Sequence, residues 1–202
     1  MARLYFQGHG SFRVTTDAGK VIYVDPYAGD GYEPAADLIL VTHQHGDHNQ
    51  VHLCAQNEGC MIITEADALK GGVHNAFDLF DAIKVIAVPA ENKNHNPLEA
   101  VGYIIELDGV KVYAAGDTST TEAMGGMLPP LQLDYTLLPC DGVYNMDLDE
   151  AAACAEKIGA RFNIPIHMKP GELFDMERAN AYAAPNKLIV PAGTEIRLWP
   201  KA

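Results

Sequence analysis

The feature that most restricts this chain is the run Asp37-Leu38-Ile39-Leu40-Val41-Thr42 leading straight into His43-Gln44-His45-Gly46-Asp47-His48. A continuous apolar stretch with polar ends is the pattern of a strand buried on both faces. The loop that leaves this strand carries His43, His45 and His48 with Asp47 among them. Imidazoles packed that densely would repel one another on protonation, so a bare surface loop is a poor explanation. Splayed around one point, imidazole nitrogens and a carboxylate are instead a ligand set for zinc, and equally for iron or manganese at mixed N/O sites. Gly46 is expected to allow the tight turn that brings Asp47 and His48 back towards the first two histidines.

The rest of the chain reads as strands in hairpins at each half, with helices between. Phe12 to Thr16 and Lys20 to Val24 flank Asp17-Ala18-Gly19, and Val101 to Leu107 and Val110 to Ala115 flank Asp108-Gly109, a strong two-residue turn signal. Cys60 to Thr64, Tyr135 to Pro139 and Phe162 to Ile166 read as further strands, and Lys187 to Val190 with Glu195 to Trp199 as a closing hairpin. Helices are expected at Asn49 to Gln56, Glu65 to Lys70 and Glu122 to Met127. Another is expected at Glu150 to Ile158, started by Asp147-x-x-Glu150 and ended by Gly159. Leu4-Tyr5-Phe6-Gln7-Gly8 resembles a protease-tag scar, yet it continues smoothly into Phe12-Arg13-Val14 and is kept as native sequence. No repeat or linker-like run divides the 202 residues. One domain over 1–202 follows, of mixed α/β or α+β sandwich class rather than a doubly wound parallel sheet.

Composition narrows the partners. With 14 Lys plus Arg against 27 Asp plus Glu, the formal charge is −13, which opposes binding to a nucleic-acid backbone or an anionic membrane. A small-molecule substrate remains, with no nucleic acid and no membrane partner, and nothing in the sequence sets an oligomeric state. The four cysteines form no CxxC pair and read as reduced thiols, so a cytoplasmic location is expected. Neither a signal-peptide pattern nor an apolar run of the roughly 18 residues a span needs is present in the sequence.

The His-x-His-x-Asp-His motif after a buried strand resembles the signature of the metallo-β-lactamase superfamily. Further landmarks occur in the family's order: Gly116-Asp117-Thr118 after a strand, and His167 at the end of Asn163-Ile164-Pro165-Ile166. Gly8-His9-Gly10-Ser11-Phe12 and Val24-Asp25-Pro26 are similar to the branch that includes ascorbate-phosphate lactonases and many metal-dependent hydrolases. The resemblance implies an αββα sandwich of two mixed sheets. It implies that His43 and His45 bind one ion, that Asp47, His48 and His167 bind the other, and that Asp117 bridges. It also implies a metal-bound hydroxide as nucleophile, hydrolysing an ester, lactone, amide or phosphoester. Asp47 has a second possible role in holding the attacking water or relaying its proton. The cofactor is one or two divalent ions, with zinc favoured and iron or manganese also suited. The chain departs from the family at the third motif. Asn92 follows Pro89-Ala90-Glu91 where a histidine is usual, so either His95 or Glu91 completes the first site or the protein is mononuclear.

Other residues carry weaker expectations. His9 is read as orienting or core-satisfying rather than ligating, His52 as a surface or supporting residue, and His74 as solvent-facing. Tyr144 and Asn145, between a strand and a capped helix, would donate hydrogen bonds to a substrate, and Asp141 would support a ligand histidine. Lys169, just after His167, is the cation suited to an anionic substrate group. Two other readings compete with the hydrolase: an RNA-directed phosphodiesterase or nuclease, which expects a basic surface, and a degenerate non-catalytic metal-binding domain, suggested by Asn92.

Overall fold

A computed structural model describes residues 1–200. Two six-stranded sheets lie face to face. The first contains β1 (Arg3–Gly8), β2 (Ser11–Thr15), β3 (Val21–Val24), β4 (Ala36–Leu40) and β5 (Gln56–Ile63). The second contains β6 (Ala76–Leu79), β7 (Ile83–Pro89), β8 (Val101–Leu107), β9 (Val110–Ala114), β10 (Tyr135–Pro139) and β11 (Phe162–Ile166). A last strand, β12 (Thr194–Arg197), returns to the first sheet beside β1. Each sheet is antiparallel on one side and parallel on the other: β3–β4–β5 and β9–β10–β11 run parallel. Among the described residues no helix is long and apolar enough to cross a membrane.

Strand alternation explains the layers. In β4, Leu38 and Leu40 face the space between the sheets, where they meet Val101, Tyr103 and Val112, while Ile39 faces outward with Tyr23 and Val41. The continuous apolar run is therefore buried on both faces, as expected. The outer face of the second sheet is covered by α2 (Glu122–Gly125), α3 (Leu148–Ile158) and α4 (Met176–Ala181), with Ile104, Tyr113 and Leu138 packed against Met146, Cys154 and Ile158. Over the first sheet the cover is thinner. It consists of a 3-10 turn at Val51–Leu53 and the segment around Tyr32, and α1 (Glu65–Ala68) packs at the edge beside β5.

The two-sheet sandwich agrees with the sequence reading, as do the Asp108-Gly109 turn, with φ of 48° and 76°, and the Asp147 cap, which accepts from Glu150 N at 2.8 Å. Three expectations fail. Asn49 to Gln56 forms only the 3-10 turn, because Gln50 provides no side-chain cap and so short a segment cannot offset helix nucleation. Lys187 to Val190 does not pair with the last strand: β12 pairs with β1, and Lys187 makes a single bridge to Asn163. Gly46 is not in the left-handed region, and a Cβ there would meet only Gln50 at 3.8 Å, so its turn does not require glycine.

Candidate metal centre

The loops that follow β4, β7, β9 and β11 all emerge at one edge of the sandwich. The sheets are stitched together there, with Val101 N donating to Thr42 O at 3.0 Å and His43 bridging Ala100. Gly116 (φ 64°) turns the chain after β9, and a Cβ at this position would fall 2.9 Å from Thr42 Cβ; the turn delivers Asp117 into the interior. His167 leaves β11 at φ 42°, its N–H donating to His9 O at 2.7 Å.

The side chains converge in two overlapping groups. One is His43, His45 and His95; the other is His48, His167 and Asp47, joined by His9. Asp117 lies between them, its Oδ1 at 3.2 Å from His48 Nε2 and 3.5 Å from His167 Nε2, and its Oδ2 at 3.8 Å from His95 Nε2. His167 Nε2 is 3.6 Å from Asp47 Oδ2, and His95 Nε2 is 3.0 Å from His45 Nδ1. Of the two candidates to complete the first group, the geometry brings in His95, whereas Glu91 is exposed and joins neither group.

The far side of most of these rings faces an oxygen. The Asp25 carboxylate oxygens accept from His48 Nδ1 (2.9 Å), Thr42 N (2.7 Å) and Thr42 Oγ1 (2.7 Å). With its proton given to Asp25, Thr42 Oγ1 accepts from His43 Nδ1 at 3.1 Å. Asn92 Oδ1 accepts from His95 Nδ1 at 2.8 Å, and Asp141 Oδ2 stands 3.1 Å from His167 Nδ1. In the neutral rings the contacts of His43, His48 and His95 fix the tautomers, leaving each Nε2 as a lone pair aimed into the cluster, while His167 Nδ1 faces Asp141 without a hydrogen bond. His43 Nε2, His48 Nε2, His167 Nε2 and Asp117 Oδ1 are buried yet make no hydrogen bond among the described residues. Buried polar atoms left unpaired are costly, and divalent ions among them would satisfy them, so the residues fit the group.

Electrostatics agree. Burial and the neighbouring charge of His48 push His43 down to about 2, keeping it neutral as a ligand must be. Burial works against charge on His167, but Asp141, Asp47 and Asp117 outweigh it and lift the ring to about 9. Burial is likewise overridden at Asp117, which His48, His167 and His43 hold well below the usual carboxylate range, and at Asp47, which His167 and His9 hold there. The carboxylates draw positive charge into a buried place.

A match to the beta-lactamase superfamily domain extends over residues 3–167. The chain belongs to the metallo-β-lactamase superfamily. Within it, the chain is 33% identical to a UPF0173 metal-dependent hydrolase of Thermococcus onnurineus, the match covering 83% of this chain and 84% of that one. A crystal structure from Parabacteroides distasonis superposes with a TM-score of 0.75 at 29% identity, covering 91% and 90% of the two chains. A metallo hydrolase of the archaeon Ignicoccus hospitalis shares the fold, with a TM-score of 0.73 at 22% identity over 96% and 97% of the chains.

For a metallo-β-lactamase chain, the other expected site residues fall unevenly. Tyr144 is half-exposed and lines a cavity of about 430 Å³ over the cluster, with His45, Asp47, Asn94, His95 and Asp117. Asn145 is buried and used up within the protein: its Nδ2 donates to Asp141 Oδ2 (2.8 Å) and its Oδ1 accepts from Asn92 Nδ2 (2.9 Å). Lys169 is exposed, ion-paired with Glu172 at 2.5 Å, and lines neither this cavity nor the adjoining one beside His43. Two supporting residues escaped the sequence reading as such, Asp25 and Asn92. Asp25 stood in a recognised landmark, which was the available signal; Asn92 was noticed only as a departure.

Proposed function

We propose that this protein is a metal-dependent hydrolase of a small ester, lactone, amide or phosphoester, holding two divalent ions, with zinc favoured. The observation that carries the reading is the convergence of buried, unpartnered ligand atoms from both sheets beneath an open cavity of about 430 Å³. His43, His45 and His95 would hold the first ion; Asp47, His48 and His167 the second; and the two oxygens of Asp117 would serve both. When bound, such ions lower the pKa of coordinated water to near neutrality and polarise the oxygen of the scissile group.

The chain's own residues do the rest. Asp47, 37% exposed at the cavity and held ionised, can orient a water by accepting its proton in a hydrogen bond. The Tyr144 phenol at the rim offers a donor to substrate. Buried anchors behind the rings remove rotational freedom from the ligands, which is preorganisation supplied before substrate arrives. The cavity volume suits a small molecule, and a charge of −13 opposes nucleic acid, which supports the hydrolase reading over a nuclease. Four free cysteines support a reducing compartment.

Metal analysis of the purified protein, followed by a panel of lactones, phosphodiesters and aryl esters, tests the proposal. Two ions per chain and hydrolysis that disappears in Asp117→Ala and His48→Ala are expected. Full activity in either variant would refute the assignment.

A further inference from the structure

We propose that His9 is itself a ligand of the second ion, through Nε2, beside Asp47, His48 and His167; this rests on the metal-dependent reading above. His9 is fully buried, and its Nε2 lies 3.2 Å from Asp47 Oδ2, within the same cluster of ligand atoms. Its Nδ1 lies 3.1 Å from the backbone oxygen of Glu172. A carbonyl oxygen only accepts, so the Nδ1 proton is committed there and Nε2 of the neutral ring is a lone pair. A lone pair facing a carboxylate oxygen at 3.2 Å is a repulsive contact, which is relieved either by a proton on Nε2, making a hydrogen bond, or by a cation lying against both atoms. His9 thus repeats the arrangement of His43, His48, His95 and His167: Nδ1 against an oxygen, Nε2 into the cluster.

The backbone holds His9 in this place at some cost. It sits at φ 57°, an uncommon region for a non-glycine residue. Hydrogen bonds on both sides, His9 N to Leu173 O (2.6 Å) and His167 N to His9 O (2.7 Å), lock it there. His167 is also at positive φ, so two strained residues on opposite sheets clamp each other, the pattern expected where strain serves a site. Gly10 completes the fit: a Cβ there would stand 3.0 Å from His48 Cε1.

The direct test uses wild-type protein with 15N-labelled histidine, titrated with Zn²⁺ and followed through long-range 1H–15N correlations of the rings. The His9 Nε2 resonance is expected to carry no proton and to move to the metal-bound position with the second equivalent. A proton-bearing Nε2 that stays in place while two ions bind would overturn the assignment and leave the hydrolase reading intact. If the wild type binds no ion at all, the reading beneath it fails. As a second arm, His9→Ala and His9→Gln are compared by competition with a chelator. The second equivalent should weaken by about 100-fold, at the upper end of what loss of a supporting partner causes, with the first unchanged. Unchanged affinity for both ions in a folded His9→Gln protein would also overturn it.

Discussion

Asp25 holds two of the candidate ligands at once, from a backbone φ of 47° that a non-glycine residue adopts at a cost. Its carboxylate takes His48 directly and His43 through Thr42. Asp25→Ala is therefore expected to weaken both ions, by about 10–100-fold, as chelator competition would register. Asn92 touches one ligand directly: Asn92→Ala frees His95 and should lower affinity for the first ion more than for the second, which it reaches only through Asn145 and Asp141. Equal losses at both sites in that variant would count against the division into two groups. These two residues also mark the limit of reading the site from sequence. The ligands on the loop after β4 are legible because their chemistry is dense and local. An anchor is an ordinary acid or amide that no local pattern distinguishes, whether its partner lies 23 residues away, as for Asp25 and His48, or three, as for Asn92 and His95. His95 stayed ambiguous for a related reason. It takes the place of the missing histidine because a tight turn, with Asn92 and His95 bonded backbone to backbone, swings it into the cluster.

At the level of elements, β3 and β4 are joined by more than their ladder. Asp37 Oδ2 accepts from Val21 N at 2.9 Å, and Oδ1 meets Lys20 Nζ at 2.9 Å. Burial opposes the charge on Asp37, but these partners outweigh it and lower its pKa. A carboxylate with a lowered folded pKa stabilises above its unfolded value, about 3.9, and loses that contribution as pH falls through the folded value. Asp37→Asn keeps an acceptor for Val21 N but removes the charge that strengthens this bond and the pair with half-exposed, screened Lys20, so it should cost about 1 kcal/mol at pH 7. That is about 2–4 °C in Tm per kcal/mol, and the gap to wild type should close below about pH 4. Elements with strong local signals, such as β4, the β8–β9 hairpin and α3, were legible. The pair β6–β7 is not legible in the sequence, since Ala76–Leu79 is only four residues long and its strand character comes from pairing with β7 alongside. The pairing of β12 with β1 joins the two ends of the chain, a long-range choice that no window of sequence contains.

In the whole molecule, the candidate ligands are divided between the sheets: His43, His45, Asp47 and His48 come from the first, His95, Asp117 and His167 from the second. An ion bound at the shared edge ties the two halves of the sandwich together, so its binding energy is added to folding energy. At a free Zn²⁺ concentration 100 times the dissociation constant, one ion should add about 2.7 kcal/mol. A rise of about 5–10 °C in Tm over the chelated protein is expected by calorimetry. An unchanged Tm would mean that no ion binds the native edge selectively. The acidity of the chain also takes on a local meaning here, because Asp25, Asp47, Asp117 and Asp141 lie inward against histidines instead of adding to the surface field. The order in which these residues leave the ribosome has its own result. His43, His45, Asp47 and His48 emerge early, but the position that closes the second group is residue 167, just beyond β11, the last strand of the second sheet to be made. The candidate site is therefore complete only once both sheets have been made, and until then a growing chain presents its first four candidate ligands without their partners.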